Sequence, residues 1–249
     1  MGALAKDRII VALDVPTERA AVDLVIALRD HVGLFKVGLE LLTSEGIQVV
    51  RKITDLGGNV FLDGKFNDIP NTVAGASRGA TRMGIRMFNV HTMGGMDMMK
   101  AALKAAAAES SELEIQRPLI LGVTLLTSID QNILNAQLRI PGDIESQVVQ
   151  LTRLAEEAGL DGVIASPKEI EAILRNVSRQ MIIVTPGVRP VWASPQDQRR
   201  VMTPGEAIAR GATYVVVGRP ITKPPAEVGN PVDAVHRIAD EIANALTSK

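Results

Sequence analysis

The chain has 249 residues, 46% hydrophobic and 22% charged, enough for a sizeable core and too ordinary for a disordered or fibrous class. A formal net charge of −1 and 2% aromatics argue against a nucleic-acid partner, and the lack of cysteine excludes disulfides, thiolate metal sites and a cysteine nucleophile. No run of about 18 apolar residues occurs and the first seven residues lack a signal-peptide pattern, so a soluble cytoplasmic protein with no membrane partner is expected.

Residues 8–13 form an apolar run that stops at Asp14, and Pro16 opens a helix over about 17–28. Runs apolar throughout suit strands covered on both faces, as in a parallel sheet. A second strand, 34–37, carries Lys36, and a helix over about 43–56 is closed by Gly57-Gly58. The third strand starts at Val60 and precedes a helix over about 69–83, with Pro70 in its first turn. Residues 87–90 make a fourth strand ending at His91, and the alanine-rich stretch 96–109 a helix. A fifth strand, 119–123, runs out through Thr127 into a short helix near 131–137 and a longer one over 144–158. Then come strand six (162–165), a helix over 167–176, strand seven (181–184) and a loop to about 198. Thr203-Pro204 starts another helix with a capping residue and a proline, before strand eight (214–217) and a closing helix over 231–246.

Eight strand-then-helix units follow one another with no Ser/Gly-rich linker, which predicts a single (β/α)₈ TIM barrel over residues 1–249. A doubly wound open sheet is the competing arrangement. The barrel is favoured because polar residues recur after nearly every strand: Asp14, Lys36, Asp63 with Lys65, His91, Thr127, Arg189 and Arg219. Barrel enzymes assemble their sites from those strand ends.

Two clusters carry chemistry. Asp63, Lys65 and Asp68 are packed into six residues as the third strand ends, and alternation of strand side chains points Asp63 and Lys65 the same way. With Lys36 they could bind a metal, act as acid and base, or form a structural ion-pair web. Two lysines among two aspartates argue against a divalent ion, which prefers oxygen ligands without a fixed cation beside them. The second cluster is Gly218-Arg219, after strand eight, where barrels of this type place their phosphate pocket. Gly218 allows close backbone approach and Arg219 a bidentate grip, while Arg189 and Gln198 could close over the same anion.

The stretch Asp63-Gly-Lys65-Phe-Asn-Asp68-Ile-Pro-Asn-Thr72 resembles the signature of the orotidine 5′-phosphate decarboxylase family, in its bacterial form. So do Ala12-Leu-Asp14, Phe35-Lys36-Val-Gly, Val123-Thr-Leu-Leu-Thr127-Ser, Thr185-Pro-Gly-Val-Arg189-Pro, Asp197-Gln198-Arg-Arg and Val217-Gly-Arg219-Pro-Ile. The resemblance spans nearly the whole chain. It implies a cofactor-free (β/α)₈ homodimer that converts orotidine monophosphate to uridine monophosphate and carbon dioxide. It further implies that Lys65 protonates C6 of the pyrimidine, with Asp63 against the departing carboxylate and Lys36 and Lys65 stabilising charge at C6. Asp14 and Lys36 would hold ribose hydroxyls, Thr127 the pyrimidine region, and Arg189, Gln198, Gly218 and Arg219 the phosphate. Asp68 and Thr72 would reach into the partner subunit's site. Two positions depart from the family's pattern, Gly64 for an apolar residue and Asn67 for histidine, and neither removes a charged member.

The nearest alternatives are a magnesium-dependent sugar-phosphate decarboxylase or aldolase of the same superfamily and a non-catalytic phosphate-ligand barrel. The metal-dependent relatives carry a glutamate where this chain has Lys36, and an ammonium cannot ligate a metal. Simple phosphate capture would not need Asp63 or Asp68. His91 is read as a structural histidine, His31 and His236 as surface residues, and the Met93, Met96, Met98, Met99 cluster as packing.

Overall fold

In a computed structural model, residues 5–178, 180–193 and 202–247 are described. Eight parallel strands close into a barrel in sequence order: β1 (Ile9–Ala12), β2 (Leu34–Val37), β3 (Val60–Phe66), β4 (Met87–His91), β5 (Leu119–Val123), β6 (Gly162–Ile164), β7 (Ile182–Thr185) and β8 (Tyr214–Val217). β8 pairs back onto β1 through Ile9↔Val215 and Val11↔Val217, which closes the ring and rules out the open sheet. The helices outside are α1 (Glu18–Leu28), α2 (Leu39–Glu45), α3 (Gln48–Asp55), α4 (Pro70–Thr81), α5 (Gly95–Glu112), α6 (Ile144–Ala158), α7 (Ile170–Asn176), α8 (Pro204–Ala209), α9 (Arg219–Thr222) and α10 (Pro231–Thr247). Among the described residues no helix is long and apolar enough to cross a membrane.

Strand alternation divides the core in two. Ile9, Val11, Phe35, Val60, Leu62, Phe88 and Ile120 pack outward against the helices, whereas Ile10, Leu34, Phe61, Met87, Leu121, Val184 and Val216 fill the barrel. Every strand therefore reads as apolar on both faces. Along the inward column, a step of two residues towards the C-terminal end leads from Ile10 to Ala12 and Asp14, from Leu34 to Lys36, from Phe61 to Asp63 and Lys65, and from Met87 to Asn89 and His91. The polar groups are thus delivered to one mouth of the barrel above an apolar floor.

Four details differ from the sequence expectation. The helix expected over 43–56 is two helices, because Gly46 at φ 73° takes the left-handed conformation that ends α2. The 131–137 segment is a π-type turn, Ile133–Gln137, held by Gln131 and Asn135 side-chain bonds to the backbone of the same loop. α9 follows β8 directly. β3 runs on to Phe66, past the point where the charged residues should have ended it. The capping signal read at Thr203 is in place, with Thr203 and Glu206 bonded reciprocally, and Thr17, expected as the first helical residue, instead caps α1 by accepting from the Ala20 N–H.

Candidate active site

β3 supplies the centre of the site through an irregular stretch. Leu62 pairs with Phe88 and Phe66 with Val90, so four steps on β3 face two on β4 and the register shifts by two residues. Within this bulge Lys65 has φ 48°, an uncommon conformation for a long side chain. Its backbone N–H donates to Asn89 Oδ1 at 2.7 Å. Simple alternation predicts that Asp63 and Lys65 face the same way, and they do, with the bulge bringing them to 2.7 Å (Lys65 Nζ to Asp63 Oδ1).

Four charged groups alternate in sign across the mouth. Lys36 Nζ lies 3.0 Å from Asp14 Oδ1 and 3.3 Å from Asp63 Oδ2, and Lys65 completes the row on the other oxygen of Asp63. The side chains of Asp63 and Lys36 are only 11% and 12% exposed, so water does little to weaken these pairs. Burial pushes the Asp63 carboxyl up, but Lys36, Lys65 and hydrogen bonds from Lys65 and Asn89 outweigh it and hold the group below its ordinary value. Asp63 is ionised at neutral pH. Gly38 leaves the space this row needs: a Cβ there would stand 2.9 Å from Lys36 Nζ.

The row forms one wall of a cavity of about 370 Å³. Leu126 and Thr127 line it after β5, Gly187 and Arg189 after β7, and Gly218 and Arg219 after β8. A Cβ at Gly218 would meet only Ala12 and Asp14, at 3.5 and 3.8 Å, so its backbone borders open space beside Asp14. Arg219 is exposed and Arg189 half-buried, and among the described residues neither guanidinium forms an ion pair. Among the described residues the cavity therefore carries a compensated charge row at one side and two cations without an ion pair at the other. An anionic group of a ligand would find its counter-charge at the second side.

Asp14, Lys36, Asp63, Lys65, Thr127, Arg189, Gly218 and Arg219 are brought together as expected. Asp68 and Thr72 are not: both are exposed at the start of α4, and Asp68 accepts from the N–H of Ile69. Gln198 lies outside the described residues, as do Asp197, Arg199 and Arg200. Gly64 does face away from the charges, towards the Phe66 ring, whose Cε1 would be 2.7 Å from an added Cβ. His91 is half-buried, and burial, then Lys65, holds its ring below the ordinary value, so it stays neutral at pH 7. Met98 and Met99 are core residues. His31 and His236, far apart in sequence, share a hydrogen bond of 3.0 Å at the surface. Asn89 was not singled out from the sequence; the signal for it is an amide within the apolar strand Met87–His91, two residues beyond the inward-facing Met87.

A family model described as "Orotidine 5′-phosphate decarboxylase / HUMPS family" matches residues 7–238. A protein of Heliobacterium modesticaldum named orotidine 5′-phosphate decarboxylase is 47% identical over 98% of this chain and 99% of its own. One of the same name from Moorella thermoacetica is 51% identical over 96% of this chain and 93% of its own. The crystal structure of orotidine 5′-phosphate decarboxylase from Lactobacillus acidophilus superposes with a TM-score of 0.82 at 35% identity, covering 94% of this chain and 98% of that one.

Proposed function

Since the chain belongs to the orotidine 5′-phosphate decarboxylase / HUMPS family, we propose that it is the carboxy-lyase that turns orotidine 5′-monophosphate into uridine 5′-monophosphate and carbon dioxide. The observation that carries this reading is the alternating row Asp14–Lys36–Asp63–Lys65 facing Arg189 and Arg219 across one cavity. Against the magnesium-dependent sugar-phosphate alternative, the donor set favours the decarboxylase. Both oxygens of Asp63 are engaged by ammonium or amide groups, and Lys36 stands among the carboxylates that a divalent ion would need.

On this reading the phosphate docks against Arg219, Arg189 and the backbone at Gly218, with Gln198 assigned to the same group. Asp14 and Lys36 take the ribose hydroxyls, and Thr127 borders the pyrimidine. C6 then lies against Lys65. The bond from C6 to the carboxylate breaks, its electron pair stays on C6, and the Lys65 ammonium delivers a proton there; carbon dioxide leaves and the lysine is recharged by solvent. Asp63 holds Lys65 at 2.7 Å and sets a negative charge against the departing carboxylate. Two unit charges 4 Å apart interact by roughly 4 kcal/mol at an effective dielectric near 20, so each such contact matters to the barrier and none is sufficient alone. Phosphate contacts far from C6 contribute by holding the reactive pose. No cofactor enters, and a cytoplasmic setting goes with this chemistry.

The reading includes a homodimer in which Asp68 and Thr72 complete the partner's site. Exposure of both is consistent with that, as is the exposure of the large apolar side chains Ile69 (67%) and Met93 (53%) after β3 and β4. Mixing Lys65→Ala and Asp68→Ala chains should then restore part of the lost activity through hybrid dimers; no recovery despite proven subunit exchange refutes the sharing. For the reaction itself, orotidine monophosphate is added with excess chelator and its ultraviolet absorbance followed. Turnover that survives chelation and largely disappears in Lys65→Ala is expected. Inactivity, or activity restored by magnesium alone, overturns the proposal in favour of the metal-dependent relatives.

A further inference from the structure

We propose that Asn89 is a positioning residue of this site: its amide clamps the Asp63 carboxylate and the Lys65 backbone in one fixed relation. The Asn89 Nδ2 donates to Asp63 Oδ1 at 2.7 Å, and its Oδ1 accepts from the Lys65 N–H at 2.7 Å. The orientation of the amide is settled by its neighbours, because flipping it would set N–H against N–H and oxygen against a carboxylate. Asn89 is fully buried, so neither bond can be replaced by solvent. This inference rests on the decarboxylase reading for its catalytic consequence, though not for its geometry.

The need for such a clamp follows from the β3 bulge. Where β3 leaves register with β4 between Leu62 and Phe66, a β4 side chain rather than the β4 backbone satisfies the Lys65 N–H. That bond holds Lys65 at φ 48°, a conformation it would otherwise leave for the ordinary extended region. Relaxation there would swing the Lys65 side chain away from Asp63, because side-chain direction follows the backbone. The second bond fixes the carboxylate plane, so that one oxygen meets Lys65 and the other meets Lys36 at 3.3 Å. Asn89 thus acts through Asp63 and Lys65 without lining the cavity itself.

Two variants separate positioning from plain core packing. Asn89→Asp keeps the size and the acceptor towards Lys65, but replaces the N–H facing Asp63 by a carboxylate oxygen. Asn89→Leu removes both bonds. The readouts are the pH profile of kcat/KM on orotidine monophosphate and a carbon-NMR titration of the Asp63 carboxyl in substrate-free protein. The charged and titratable groups around Asp63 are Lys36 from β2, Lys65 on β3, His91 at the end of β4, and Asp14 behind Lys36; all remain in both variants, while Asn89→Asp adds a carboxyl of its own, so Asn89→Leu shows the loss of the donor without an added charge. Asp63 must be ionised, so activity is full above its lowered pKa and falls as pH drops through it. Loss of the donor raises that pKa, and the acid limb should move to higher pH along with the NMR titration. A drop of about tenfold or more in kcat, with KM changing less, should accompany it.

Equal losses at every pH with Asp63 titrating as in the wild type, or unchanged activity, would overturn the proposal. If circular dichroism shows that Asn89→Leu does not fold, Asn89→Ala, which also removes both bonds and adds no charge, takes its place. Should the wild type fail to turn over orotidine monophosphate, the decarboxylase reading falls, while the substrate-free titration still tests the clamp.

Discussion

At the β3 side of the mouth each charged group already has its counterpart: Lys36 between two carboxylates, Asp63 between two ammonium groups and an amide. At the β7–β8 side Arg189 and Arg219 stand at the cavity with no ion pair among the described residues. The first region is organised before any ligand arrives, at the cost of a bulge and a left-handed lysine. The second leaves its counter-charge to be supplied by what binds. Groups that act on the reacting bond must be in place beforehand, since reorganising them would add to the barrier. Groups that hold a remote phosphate can complete their pairing on binding, and so contribute selectivity and pose.

This contrast predicts different signatures for substitutions on the two sides. Lys65→Ala should lower kcat by about a thousandfold or more with KM altered far less, since general-acid contributions run to roughly 10²–10⁴; single-turnover and steady-state kinetics together check it. A fall in kcat/KM that lies wholly in KM would erase the distinction. Arg219→Ala should cost about 10- to 100-fold in kcat/KM, the scale of a charge-assisted contact. The same variant should act on orotidine, which lacks the phosphate, as the wild type does, and a loss of equal size on both substrates would place Arg219 in the chemistry instead.

The smallest effect is expected outside both regions. Glu169 follows β6, next to the wall formed by Leu125–Thr127, and burial raises its carboxyl to about 7 despite a hydrogen bond from the Ser166 N–H. A carboxyl whose folded pKa is raised favours the fold while protonated. Its contribution is therefore complete below the ordinary value of 4.5 and is lost as pH rises towards about 7. Glu169→Gln keeps the acceptor without the charge and should raise the melting temperature at pH 8 by a few degrees, with little change at pH 5. Thermal scans at the two pH values check this, and an equal shift at both would sink it.

Much of this was legible because strand alternation is a local property. Eight apolar runs, nearly all of them followed by a polar residue, lead to the barrel, and Lys36, Asp63, Lys65, Arg189 and Arg219 line its mouth. The failures share a cause: they depend on how neighbouring strands meet. Asp14 closes the charge row on Lys36, a contact set by the pairing of Ala12 with Lys36 across the β1–β2 ladder. Asn89 looks like one more strand residue until β4 is set beside the β3 bulge. The break at Gly46 was hidden because glycine inside an otherwise helical pattern is compatible with either outcome.

The apolar floor has one further consequence. Ile10, Leu34, Phe61, Met87, Leu121 and Val184 seal the tube below the lysines, whereas Lys65 keeps 29% of its side chain open towards the mouth. If Lys65 is the proton donor proposed above, the proton it spends can be replenished only from the mouth. On that proposal the doorway for recharging would also be the exit for the nucleotide product, so each cycle would reset only once the product has moved aside.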